Sequence, residues 1–204
     1  MKTKSGSGYF PYIVLAMFIV IAGYIAYKSL VPAKSLPVIK AAPDFVLEDL
    51  DGNVFHSESM NGTVRLMEFM FTSCPDICPV TTYKMVQIQE EMKTRGIWGE
   101  QVKMIAVSFD PARDTPEVFN AYADRMNIDR SGWALLRGEE KNIQQIAKQF
   151  GVTIQNMGDG QFVHNVTSLM LIDGKDRIRQ IYEMGSEMDN DTIIKDILAL
   201  VDEQ

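Results

Sequence analysis

The chain has 204 residues, 46% of them hydrophobic and 23% charged, with a net charge of −7. That length fits one ordinary domain plus an appendage, and the acidic balance excludes the basic footprint a nucleic-acid binder needs. Two cysteines cannot frame a disulfide scaffold, so they are not present to staple a small fold.

The appendage comes first. From Ser5 to Tyr27 there is no charged residue, and YFPYIVLAMFIVIAGYIAY is almost wholly apolar. About 20 helical residues cross a bilayer core, and Tyr9, Tyr12, Tyr24 and Tyr27 sit near the two ends, where amphipathic rings favour the interface. A cleaved signal peptide would have a shorter apolar region and a small-residue cleavage site, which VPAKSLP does not supply. No cysteine lies near this segment, so a lipid anchor on cysteine is excluded. The expectation is a short cytoplasmic tail at 1–8, a single uncleaved transmembrane helix at 9–31, a proline-containing linker at 32–42 and a folded domain at 43–204. Lys2 and Lys4 compete with Lys28, Lys34 and Lys40 in setting orientation, and the short tail favours the domain outside.

Within the domain, FVLEDLDGNVFH reads as a β-hairpin and TVRLMEFMF (63–71) as a central buried strand ending at the cysteines. Residues 79–95 read as a helix with Val80, Tyr83, Val86, Ile88 and Met92 on its apolar face. VKMIAVSFD (102–110) is a second buried strand. DTPEVFNAYADRM is a helix with Thr115 as N-cap and Pro116 at its first position. WALLRG is a short strand, and EEKNIQQIAKQFG is a helix closed by Gly151. VTSLMLID (166–173) and RIRQIYEM (177–184) flank a DGKD turn as an antiparallel hairpin, before a C-terminal helix from NDTIIKDILALVDEQ. This order implies an α/β fold, a mixed sheet with helices on both faces. Its default site is the strand-to-helix corner that holds the cysteines.

Cys74 and Cys78, in FTSCPDICPVTT, are spaced so that one helical face carries both. Cys78 falls at or next to a helix N-cap, where free N–H groups favour a thiolate. Such a pair can exchange disulfides, reduce a peroxide or bind a soft metal. His56 lies in the first hairpin and reads as a surface or capping residue. His164, in a loop entering the strand beside the cysteine strand, is placed to supply a third ligand. Two thiolates and an imidazole suit copper, and they leave a structural zinc site one ligand short. The thirteen methionines are scattered at core-facing positions and read as packing.

TSCPDICP, SFDPARDTPE and a histidine 86 residues after the second cysteine resemble the Sco/SenC family over residues 41–203. The resemblance implies a membrane-anchored, thioredoxin-like copper protein of cytochrome c oxidase assembly. It implies Cys74, Cys78 and His164 as ligands of Cu(I) or Cu(II), and the dinuclear copper centre of oxidase subunit II, or a similar acceptor, as the destination. A copper donor and a thiol reductant are implied as further partners. The location implied is a bacterial-type cytoplasmic membrane, or an organellar inner membrane, with the domain on the extracytoplasmic side. Asp76, between the cysteines, reads equally as a turn former and as a group tuning the thiols; Asp110 and Asp114 read as helix-start chemistry or as support for the site. Thr167 stands where thioredoxin-like enzymes carry a cis-proline, which shifts the balance from dithiol exchange toward metal binding. A thiol-disulfide oxidoreductase is the alternative function. A peroxidase is weak, because Thr72 stands two residues before Cys74 and not three.

Overall fold

The computed structural model describes residues 10–30, 35–158, 161–164 and 168–204, giving the backbone alone at 10, 24–30, 161, 163 and 164. The chain divides into two compact units, Met1–Ser35 and Leu36–Gln204.

The first unit holds α1 (Phe10–Leu30), a helix without a polar face. Its side chains are described from Pro11 to Gly23, and all of them are exposed. That stretch is about 20 Å long, against about 30 Å for a hydrocarbon core. Among the described residues no helix is long and apolar enough to cross a membrane, so the span at 9–31 stands as an expectation of the sequence.

The second unit is built on a six-stranded mixed sheet. Its strands are β1 (Lys40–Ala41), β4 (Val64–Met70), β5 (Val102–Ser108), β6 (Trp133–Leu136), β9 (Ser168–Ile172) and β10 (Arg177–Glu183), in the order β1-β10-β9-β4-β5-β6. β4, β5 and β6 are parallel, while β9 runs antiparallel to β4 with Met67 opposite Met170. Every residue of β4 is buried, so both faces of the sheet are covered there. The helices are α2 (Ile77–Thr94), α3 (Pro116–Met126), α4 (Glu140–Phe150) and α5 (Asn190–Val201). Phe150 of α4 packs edge-on against Phe69 and Phe45, on the face opposite Glu68. The first hairpin, β2 (Val46–Glu48) and β3 (Val54–His56), pairs as expected and is tied to the end of β6 by reciprocal Glu48–Arg137 backbone bonds. The Thr115 hydroxyl caps α3 and Gly151 closes α4 at φ +89°, both as the sequence requires.

Three expectations need correction. The helix after the cysteines starts at Ile77, so Cys78 lies inside its first turn. Its buried face is Cys78, Thr81, Thr82, Met85, Ile88, Gln89 and Met92; Tyr83 is 60% exposed and Val80 is exposed as well. Polar residues occupy that face because distant groups satisfy them. The Tyr122 hydroxyl donates to Thr82, the Gly185 N–H donates to Thr81, and Gln89 joins the Asn127 carbonyl to the Asp129 N–H. Finally, the approach to His164 is not a loop but a second hairpin, β7 (Ile154–Gly158) with β8 (Gln161–His164), which forms a separate two-stranded sheet. Thr167 lies outside the described residues.

Candidate metal and dithiol site

β4 delivers the chain to the site. Phe71, the residue that follows it, holds both cysteines: the Cys74 N–H donates to the Phe71 carbonyl at 3.2 Å, and the Phe71 N–H donates toward the Cys78 sulfur. Both cysteines are free, Cys74 half-buried and Cys78 buried. The Cys78 thiol donates to the Cys74 sulfur, and this bond is the main reason that Cys74 is held down near 5. Burial opposes it, and backbone N–H groups of Asp76, Cys78 and Ile77, at the start of α2, converge on the same sulfur and add to the lowering. Cys78 moves the other way, pushed up by its bond to Cys74 and by desolvation. The pair is therefore a reachable thiolate over a buried thiol at neutral pH.

Asp114 supports this corner from 40 residues away. It is fully buried and accepts from the Thr72 N–H at 3.1 Å, from the Thr72 hydroxyl at 2.5 Å and from the Ser108 hydroxyl. The strand-to-helix loop is thereby fastened to the end of β5, two residues before Cys74. Asp110 is also buried; it pairs with Arg113, its N–H donates to Ser108 and its carbonyl accepts the Asp114 N–H. Asp76 stands at the N-cap of α2 but makes no side-chain cap bond, and its carboxylate is exposed. With Val80, Glu183 and Glu187 it lines a cleft of about 310 Å³ beside the thiols. Neither cysteine is among the residues lining this cleft or the one of about 440 Å³ along α4.

His56 is exposed and sits far along the chain from this corner, at the end of β3. His164 ends β8, where its backbone pairs with Ile154. Phe162, two residues earlier, brings that strand to the thiol loop: its ring lies 5.7 Å from Phe71 and 5.2 Å from Phe109. Most methionines are buried core residues, with Met157 an exposed exception.

The sequence reading missed Glu68. It is fully buried in β4, and neither carboxyl oxygen has a hydrogen-bond partner among the described residues. Burial, then the charge on Cys74, pushes its carboxyl up to about 8. A lone acid inside an otherwise apolar run was the available signal.

A mixed sheet with a dithiol where its central strand enters a helix defines a thioredoxin-like protein. The SCO1/SenC family model matches residues 34–202, and the chain belongs to that family. A Stutzerimonas stutzeri protein, whose name provisionally assigns it copper binding, is 34% identical over 119 residues, 57% of this chain and 55% of that protein. The chain thus spans about half the length of that relative. The crystal structure of a SCO1/SenC family lipoprotein from Bacillus anthracis str. Ames superposes with TM-score 0.72 at 29% identity, covering 79% of this chain and 95% of that one. Yeast Sco1 with copper bound shares the fold, with TM-score 0.67 at 24% identity over 81% of this chain and 90% of that one.

Proposed function

We propose that this protein is a membrane-anchored copper-binding assembly factor that delivers copper to, or prepares, the dinuclear copper centre of cytochrome c oxidase subunit II. The observation that carries the reading is the asymmetric thiol pair: a half-buried Cys74 sulfur that accepts from the buried Cys78 thiol and from three backbone N–H groups, which favour its thiolate. Thiolates are the ligands that select copper(I), and a third ligand at His164 makes the set suitable for copper(II) as well. The copper binding in the name of the Stutzerimonas stutzeri relative supports the metal, and the apolar, exposed side chains of residues 11–23 support an anchor, with the domain on the extracytoplasmic side as the family resemblance implies.

Copper titration of the reduced full-length chain tests the ligand set. One copper per chain is expected for wild type, with at least about tenfold weaker binding after Cys74→Ala, Cys78→Ala or His164→Ala. Wild-type affinity in the histidine variant would remove His164 from the set.

The same asymmetry favours a second reading, a thiol-disulfide oxidoreductase acting on the copper-ligand cysteines of the oxidase. The half-buried, low-pKa thiol would attack a partner disulfide, and the buried thiol would then resolve the mixed disulfide. A reduction potential close to those of dedicated reductases, with fast exchange and weak copper binding, would favour that role. The readings are compatible, since oxidising Cys74 and Cys78 to a disulfide removes two copper ligands.

A further inference from the structure

The two parts of the proposed copper site are held by different means. The thiols are fixed by the backbone just after β4 and at the start of α2, whereas β8 belongs to a two-stranded sheet that, among the described residues, shares no ladder with the main one. The hairpin is anchored at its base by buried Ile154, but Gln155–Gly158 are exposed and Met157 is 58% exposed. Strand pairing therefore cannot by itself set where residue 164 stands relative to the cysteines. Phe162 can. Its ring packs on Phe71 and on Phe109. Phe71 is the residue whose backbone is bonded to both cysteines, and its ring lies 4.9 Å from Phe109, whose N–H donates to Met70 at the end of β4. Positions 162 and 164 are two apart on an extended strand, a spacing that places both on one face.

We infer that Phe162 is a positioning residue for copper binding: its ring, seated against Phe71 and Phe109, registers the β7–β8 hairpin on the cysteine loop and so brings residue 164 to the thiols. This rests on the reading of His164 as the third ligand. The aromatic contact does the work that a ladder does elsewhere in the sheet, and it couples the hairpin to Phe71, whose carbonyl accepts the Cys74 N–H and whose own N–H donates toward the Cys78 sulfur.

The test is a double-mutant cycle in the full-length reduced chain, titrated with copper(II) and followed by absorption and EPR. Phe162→Ala is expected to weaken binding about 10–100-fold, the range for residues that orient a metal ligand, and to remove the imidazole nitrogen coupling from the spectrum. Phe162→Tyr, which keeps the ring, should stay within about threefold of wild type. In the His164→Ala background, Phe162→Ala should add less than about twofold, because the residue acts through the histidine. The reactivity of Cys74 toward an alkylating reagent should be unchanged. Should the alanine variant unfold, Phe162→Leu retains the apolar volume and runs the same cycle. Wild-type binding in His164→Ala would sink the ligand assignment. Weak binding in His164→Ala together with wild-type binding in Phe162→Ala would overturn the positioning role alone. Additive losses in the double variant would also overturn it, by showing that Phe162 acts on the cysteine loop instead.

Discussion

The cysteine corner and the β7–β8 hairpin contribute to one proposed site but are built to opposite standards. The corner sits on a strand buried at every position, is bonded to the start of α2 and is fastened by Asp114 through three hydrogen bonds. The hairpin is a peripheral two-stranded sheet with an exposed outer half, and two strands alone are marginal in water. The difference implies a fixed thiol pair and a histidine strand able to open locally at a fraction of the global unfolding free energy. Under the proposed function that division is useful, because the proposed histidine ligand could leave without disturbing the two thiols.

The hardest blow to the corner is Asp114→Ala. It strands the part-buried Thr72 N–H and hydroxyl and the buried Ser108 hydroxyl, at about 1–3 kcal/mol for a fully buried group and less for the others. A loss of roughly 3–5 kcal/mol is expected in urea unfolding, with faster alkylation of the buried Cys78 as the loop loosens. If stability changes by less than about 1 kcal/mol, Asp114 does not clamp the corner.

Glu68→Gln comes next and reads through pH. The folded carboxyl holds its proton up to about 8, from an ordinary 4.5. Its contribution to stability is thus fully present below about pH 4.5 and is lost as pH rises through about 8. Cys74 runs the opposite way: its depressed thiol contributes increasingly from about 5 upward toward 9. The two partly cancel in the wild type, so the comparison with Glu68→Gln isolates the acid. The variant should gain on wild type by about 2–3 kcal/mol between pH 5 and pH 8, within the ceiling of about 1.4 kcal/mol per pH unit. A pH-independent difference would mean that Glu68 is not held protonated.

Cys78→Ala sharpens the electrostatics of the pair. The Cys78 thiol is the leading cause of the low Cys74 value, so its loss should move the alkylation midpoint of Cys74 from near 5 up toward the ordinary thiol range. The three N–H groups remain and oppose the burial that raises it. An unmoved midpoint would assign the effect to the helix start alone.

The smallest effect belongs to the hairpin surface. Met157→Gln replaces an exposed side chain on β7 and should change stability by less than about 0.5 kcal/mol. Amide exchange along β7 and β8 should nonetheless be faster than along β4, and equal protection would erase the contrast between the two regions.

Much of the fold was legible because local chemistry decides it. Thr115 with Pro116 starts α3, Gly151 ends α4, and apolar runs mark β4 and β5. The β7–β8 hairpin was not read, although GDG marks a turn, because TIQNMGDGQFVH lacks the apolar alternation of a core strand. The buried face of α2 was misread for a related reason. Its position depends on Tyr122, Gly185 and Asp129, none of them near it in sequence, which make Thr81, Thr82 and Gln89 acceptable inside.

By itself, the sequence determined that two thiols sit where a buried strand becomes a helix, because four-residue spacing and helix-start chemistry are properties of adjacent residues. Only the tertiary structure decided which thiol is reachable and which is buried, since that depends on what packs over α2. It also decided that Asp114 holds the loop, that Glu68 lies nearby without a partner among the described residues and that Phe162 meets Phe71. Those contacts join residues that adjacency cannot relate, and burial sets their strength.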